Sequence, residues 1–144
     1  MPYLMTMYHL RKTRKRYNAL KNPNVCPFCN IEELATRTRR NTEHFRIVKT
    51  DPGYDVWELH DVADHLMILP KRHVERLSEF TEAEQLEYAK LVAEYLDNDY
   101  SIYARANNSP RRTVHHQHTH LIKIGPKDAR VSFFMSKPYL FIKF

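Results

Sequence analysis

A chain of 144 residues with 42% apolar content is long enough for one domain with its own core and short for two. With only two glycines, Gly53 and Gly125, neither a Walker phosphate loop nor a dinucleotide-binding glycine turn can be written into it, and no apolar run approaches the roughly 20 residues that span a bilayer. The net charge of +6 is uneven: residues 1–50 carry 11 basic and 3 acidic side chains, residues 51–100 carry 4 and 13, and the remainder 8 and 1. Basic ends of this kind draw phosphorylated ligands or nucleic acid by long-range attraction.

In chain order, residues 1–24 read as a basic amino-terminal arm and residues 25–144 as a single domain. The opening MPYLMTMYHL sets apolar residues ahead of charges, the reverse of a secretory signal, so a cytoplasmic protein without a membrane segment is expected. The run RKTRKR at 11–16 reads either as a solvated arm or as a grip on nucleic acid. Cys26 and Cys29 in CPFC have the spacing of metal knuckles and redox motifs. No βαβ pattern surrounds them, which argues against a thioredoxin-like site and leaves metal ligands or two buried thiols. NIEELATRT then predicts a short helix with Asn30 as N-cap.

HFRIVKT (44–50) and YDVWELH (54–60), separated by Asp51-Pro52-Gly53, predict a hairpin, and HLMILP (65–70) a short buried strand. TEAEQLEYAKLVAEYLDN predicts the long helix, with a Thr81/Glu84 capping box and an apolar stripe of Leu86, Ala89, Ala93 and Leu96. DYSIYARAN (99–107), the loop NSPRRT and a strand over VHHQHTHLIKI (114–124) follow, with Gly125-Pro126 ending that strand. The tail RVSFFMSKPYLFIKF predicts one or two closing strands, with Phe133, Phe134, Tyr139, Phe141 and Phe144 read as core in preference to a base-binding wall. Antiparallel strands with one long helix define an α+β domain.

Four of the nine histidines lie between 114 and 120. In a helix, positions two apart point about 200° away from each other. In a strand, His116, His118 and His120 share one face over roughly 13 Å, with Val114, Ile122 and Ile124 continuing it and His115, Gln117 and Thr119 facing away. Such a row can chelate a metal, act as nucleophile and donors around a phosphate, or fill half-buried polar positions.

The run His116-Gln117-His118-Thr119-His120-Leu121-Ile122 resembles the His-X-His-X-His-apolar-apolar signature of the histidine triad (HIT) family of nucleotide-binding hydrolases and transferases. DHLMILPKRHVERLSEFT, NIEEL after CPFC, and ARANNSPRRTVH resemble further segments of that family in the same order, so the likeness covers roughly residues 25–125. It implies a HIT-like fold, an antiparallel sheet of about five strands with one long helix and a short amino-terminal helix. It also implies an enzyme in which His118 attacks an α-phosphorus to form a nucleotidyl-histidine that water cleaves. By position, His120 and His65 contact the phosphate or assist the leaving group, and Asn107 and Thr113 position the phosphate and ribose. Cys26, Cys29, His73 and His116 match the ligands of a structural zinc in the members that carry one. A homodimer and a purine nucleotide or nucleotide conjugate as partner are further implications, with dinucleoside polyphosphates, nucleoside phosphoramidates or adenylylated molecules as substrates.

The departures are Asp64 where glycine is usual, Gln117 and Thr119 between the triad histidines, and a shortened loop carrying Arg111 and Arg112. Two guanidiniums can fork onto phosphate oxygens, which points to a highly charged leaving group such as a polyphosphate or a nucleic-acid end. Two other readings stand beside the enzyme. One is a nucleotide- or nucleic-acid-binding module with little chemistry. The other is a catalytic metal on the triad. His9, His44 and His60 match nothing in the family pattern.

Overall fold

The computed structural model describes Thr13 and residues 24–128. The remainder of the basic run at 11–16, His9 and the aromatic tail from residue 129 lie outside the described residues. Six strands form one antiparallel sheet: β1 (Thr38–Asn41), β2 (Phe45–Lys49), β3 (Val56–Trp57), β4 (His60–Pro70), β5 (Ser101–Tyr103) and β6 (Thr119–Asp128). The order is β1-β2-β4-β6-β5, with β3 also against β4. A short helix, α1 (Ile31–Ala35), and a long one, α2 (Glu82–Asp97), complete the α+β fold that the sequence predicts.

The sheet is apolar on both faces, so residues 65–70 of β4 are all buried and read as an unbroken apolar run. One face meets α2 through Phe45, Ile47, Leu66, Ile68, Val74, Phe80, Leu91 and Leu121. The other packs Val48, Met67 and Leu69 against Phe28 and Leu34 of the amino-terminal segment. Because side chains alternate along a strand, His65 and His120 fall on the second face, clear of the helix.

Both helix starts form as expected. Asn30 accepts the Glu33 amide, and Thr81 and Glu84 exchange hydrogen bonds in a capping box. Glu84 also takes Arg72 Nη2 at 2.8 Å and Nε at 3.2 Å, and this guanidinium holds its carboxyl down to about 2. His44 meets Glu87 through Nδ1 at 2.5 Å and so ties the start of β2 to α2.

Three strand and helix expectations are corrected. First, β2 pairs with β4 (Ile47↔Ile68) and not with the segment after Gly53. The hairpin that forms is β3–β4, closed at Glu58 (φ 49°) and Leu59 (φ 61°), two left-handed positions with no Asn-Gly signal to announce them. Second, Leu86 and Leu96 of α2 are 59% and 53% exposed, and Ala89 and Ala93 are exposed with them. The packed stripe is Tyr88, Leu91, Val92 and Tyr95, which has equal helical periodicity and larger rings. Third, the histidine strand begins only at Thr119 and continues through Gly125-Pro126 to Asp128. Its pairing with β4 is irregular between His60 and Asp64, which accommodates the missing proline amide. A Cβ at Gly125 would meet the Asp61 carboxylate, so a larger residue there would have to push that side chain aside. Among the described residues, no helix is long and apolar enough to cross a membrane.

Leu91→Ala should cost about 3 kcal/mol in urea unfolding, whereas Leu86→Ala should change stability by no more than about 0.5 kcal/mol; equal costs would refute the packed stripe. Because the folded Glu84 carboxyl titrates at about 2, below its ordinary range, the stability it confers is present above the unfolded value and lost as pH falls through the folded one. Glu84→Gln should therefore be less stable than wild type at pH 7, by about 1–3 kcal/mol. Unfolding curves taken at stepwise lower pH should show that gap closing between about 4.5 and 2.

Candidate functional site

The pairing of β4 with β6 sets His65 opposite Ile122 and Met67 opposite His120. Residues 114–118 lead into β6 with a bend at His116, and the Gln117 amide donates to the Val74 carbonyl at 2.7 Å. The three triad rings line one surface. Phe28 touches His116 (5.9 Å) and His118 (5.2 Å), and His118 meets His120 edge-on at 5.2 Å.

Hydrogen bonds fix where each ring carries its proton. His118 Nδ1 donates to the His116 carbonyl at 2.8 Å, so a neutral His118 presents a bare Nε2. Burial, with the charges of Arg112 and Arg105, outweighs that bond and pushes the imidazole down to about 4. The Tyr54 amide donates to His65 Nδ1 at 2.9 Å, which puts the His65 proton on Nε2. That Nε2 lies 2.9 Å from His120 Nδ1, which must accept, so His120 carries its proton on Nε2. Burial, followed by the neighbouring His65 and His118, holds His120 well below the usual histidine range. Its Nε2 is buried with no hydrogen-bond partner among the described residues. A bare acceptor and an unused donor therefore stand on adjacent rings.

Beside them, Cys26, Cys29, His73 and His116 bring their donor atoms within 4.8 Å of one another, a group that could hold a metal ion. His116 Nε2 donates to the Pro70 carbonyl at 3.0 Å, which turns Nδ1 toward the cysteines. Cys29 Sγ lies 3.2 Å from His73 Nδ1 and 3.5 Å from His116 Nδ1, and Cys26 Sγ 3.5 Å from His116 Nδ1. Burial lowers the His116 pKa, which keeps it in the neutral form a metal requires.

The loop before the triad is held by Arg112. This side chain is buried, and its guanidinium donates to Asn107 Oδ1 at 3.1 Å, to Gln117 Oε1 at 3.4 Å and to the Glu75 carbonyl. Asn107, Arg111 and Thr113 are exposed on that loop. Each departure from the triad pattern has a polar partner. Thr119 Oγ1 meets Tyr88 Oη at 2.8 Å, and Asp64 takes the Tyr100 hydroxyl at 2.7 Å and pairs with Lys49.

Sequence reading misses an aromatic wall. Tyr54 lies 4.3 Å from His65 and stacks on His120 at 5.4 Å, while Trp57 stacks on Tyr54 at 5.9 Å and meets Tyr103 at 5.1 Å. Tyr103 pairs directly with His120 across β5–β6, and Arg105 follows two residues on. The alternation in IYARAN could have revealed Tyr103 and Arg105. Nothing local reveals Tyr54 and Trp57, because they sit where a hairpin strand is expected.

No family model and no curated protein sequence matches the chain. Solved structures do match it. A hypothetical histidine triad nucleotide-binding protein from Sulfolobus tokodaii strain 7 is 22% identical with TM-score 0.52, over 78% of this chain and 78% of that one. A histidine triad nucleotide-binding protein from Candida albicans is 18% identical with TM-score 0.51, over 80% and 86%. A HIT family hydrolase from Legionella pneumophila Philadelphia 1 is 16% identical with TM-score 0.50, over 72% and 95%. These likenesses give this chain, with its antiparallel sheet and its long helix, the histidine triad fold.

Proposed function

We propose that the chain is a HIT family nucleotidyl hydrolase or transferase that works through a covalent nucleotidyl-His118 intermediate. The observation that carries this reading is the pair of opposed nitrogens: His118 Nδ1–H bonded to the His116 carbonyl leaves Nε2 as a lone-pair nucleophile, while His120 Nε2–H is a buried donor without a partner among the described residues. In the first step His118 Nε2 forms a bond to the α-phosphorus as the bond to the leaving group breaks, and His120 Nε2–H steadies a phosphate oxygen. In the second, water attacks the same phosphorus and releases His118 and the nucleoside monophosphate. The hydrogen-bond chain His120–His65 ends on the Tyr54 backbone amide, which has no proton to give. His120 therefore acts as a fixed donor and not as a net acid, which suits leaving groups that depart as anions. Asn107, Thr113 and Arg111 on the preceding loop would line the phosphate and ribose side, with Arg112 holding that loop in place.

Cys26, Cys29, His73 and His116 would hold one structural zinc. For tetrahedral zinc the ligand bond lengths require sulfur–nitrogen separations of about 3.6 Å; three of the four pairs here lie at 3.2–3.5 Å, and all four donor atoms lie within 4.8 Å of one another. A zinc with two thiolates and two imidazoles has no open position, so its contribution is to fasten the knuckle to the histidine segment. The exposed stripe Leu86, Ala89, Ala93 and Leu96 supports a homodimer. The basic residues of 1–50 support a phosphorylated partner, nucleic acid included, and the two free cysteines support a cytoplasmic setting.

Intact-protein mass spectrometry with adenosine phosphoramidate and diadenosine polyphosphates should show AMP release by wild type and none by His118→Ala. A nucleotidyl adduct should be trapped on wild type or His120→Ala. Binding without turnover in every variant would instead favour a nucleotide-binding module. Metal analysis should find one zinc per chain, absent from Cys26→Ser, with a lowered Tm in that variant; an unchanged Tm would contradict the fastening role.

A further inference from the structure

Arg105 is absent from the triad pattern, yet it sits at the end of the reactive row. From the rim of the sheet inward the rings run Tyr103, His120, His118, with 5.9 Å between the first two and 5.2 Å between the last two. The Arg105 guanidinium lies over the Tyr103 ring at 5.6 Å and donates from Nη2 to Tyr54 Oη at 3.0 Å. Tyr54 in turn stacks on His120. The two rings that flank His120 thus hold a cation at the opposite end of the row from His118.

In an in-line displacement the attacking and leaving atoms lie on opposite sides of phosphorus. With His118 Nε2 as the attacking atom, a leaving group that departs along the row of rings passes His120 and reaches Arg105. We infer that Arg105, held by Tyr54 Oη and the Tyr103 ring, binds the phosphates of the leaving group, and that the chain selects substrates whose leaving group is a phosphate or polyphosphate over those that release an uncharged amine. This rests on the nucleotidyl-transfer reading above and names its substrate class. Two further observations favour it. A guanidinium forks onto phosphate oxygens in a way that no neutral residue does. The His120–His65 chain supplies no proton for an amine leaving group, whereas a polyphosphate needs none. Arg112 serves Asn107, Gln117 and the Glu75 carbonyl and so holds the loop before the triad.

The test compares wild type, Arg105→Gln, Arg105→Lys and Tyr54→Phe on diadenosine triphosphate and on adenosine phosphoramidate. Arg105→Gln should lower kcat/KM for the triphosphate on the order of 10- to 100-fold, the range for one charge-assisted contact, and change the phosphoramidate by less than about threefold. Arg105→Lys should recover part of the loss, and Tyr54→Phe should show a smaller loss of the same selectivity. Equal losses on both substrates, or none, overturn the inference. A second readout needs no turnover: inorganic tripolyphosphate binding followed by fluorescence of Trp57, the sole tryptophan. Binding by wild type that weakens in Arg105→Gln upholds the anion site even if no substrate reacts and the hydrolase reading falls. Equal binding by both, or none by wild type, overturns it. Should Arg105→Gln fail to fold, Tyr54→Phe in the same two assays decides.

Discussion

His118 Nδ1–H donates to the carbonyl of His116, two residues back along its own chain. A neutral hydrogen bond of this kind contributes only about 1 kcal/mol net to stability, but it determines which nitrogen of His118 can react. It also joins two sites through one residue. His116 Nδ1 belongs to the cysteine–histidine cluster, its Nε2 is tied to the Pro70 carbonyl at the end of β4, and its carbonyl orients the His118 ring. A shift of the knuckle must therefore displace the His118 ring. Phe28, between the two cysteines, adds a second link by packing against both rings.

The pairing of β4 with β6 supplies the frame for that bond. Antiparallel register brings His65 to His120, and alternation along both strands keeps the two rings on the face away from α2. Segment 50–59 returns over that face, where Tyr54 gives its amide to His65 and its ring to His120. The aromatic wall then strips water from the histidines, and burial is the first cause of the lowered pKa of both His118 and His120. Neutral imidazoles in a dry pocket are suited to one lone pair and one donor aimed at a phosphate.

Much of this was legible in the sequence, for identifiable reasons. The capping box and the Asn30 cap were local, and Thr81, Glu84 and Asn30 behave as their types dictate. The metal cluster was legible because Cys26, Cys29, His73 and His116 recur in a known order. Long-range choices were not. β2 takes β4 as its neighbour because β4 is the long buried strand, and adjacency in sequence does not reveal that. Two stripes on α2 had the same period, and the one carrying Tyr88 and Tyr95 won because its rings reach the sheet and Tyr88 finds Thr119. The wall of Tyr54, Trp57, Tyr103 and Arg105 assembles from two segments far apart in the chain, so no single window of sequence contains it. Gln117 and Thr119, departures from the triad pattern, are explained by partners on other elements, Arg112 and Tyr88.

The proposed chemistry turns on proton positions, and long-range 1H–15N correlation of the histidine ring nitrogens reads them directly. At neutral pH it should show His118 with its proton on Nδ1 and a bare Nε2, and His65 and His120 each with the proton on Nε2. A His118 that carries its proton on Nε2, or a His120 that carries it on Nδ1, would contradict the opposed donor and acceptor on which the chemistry is built.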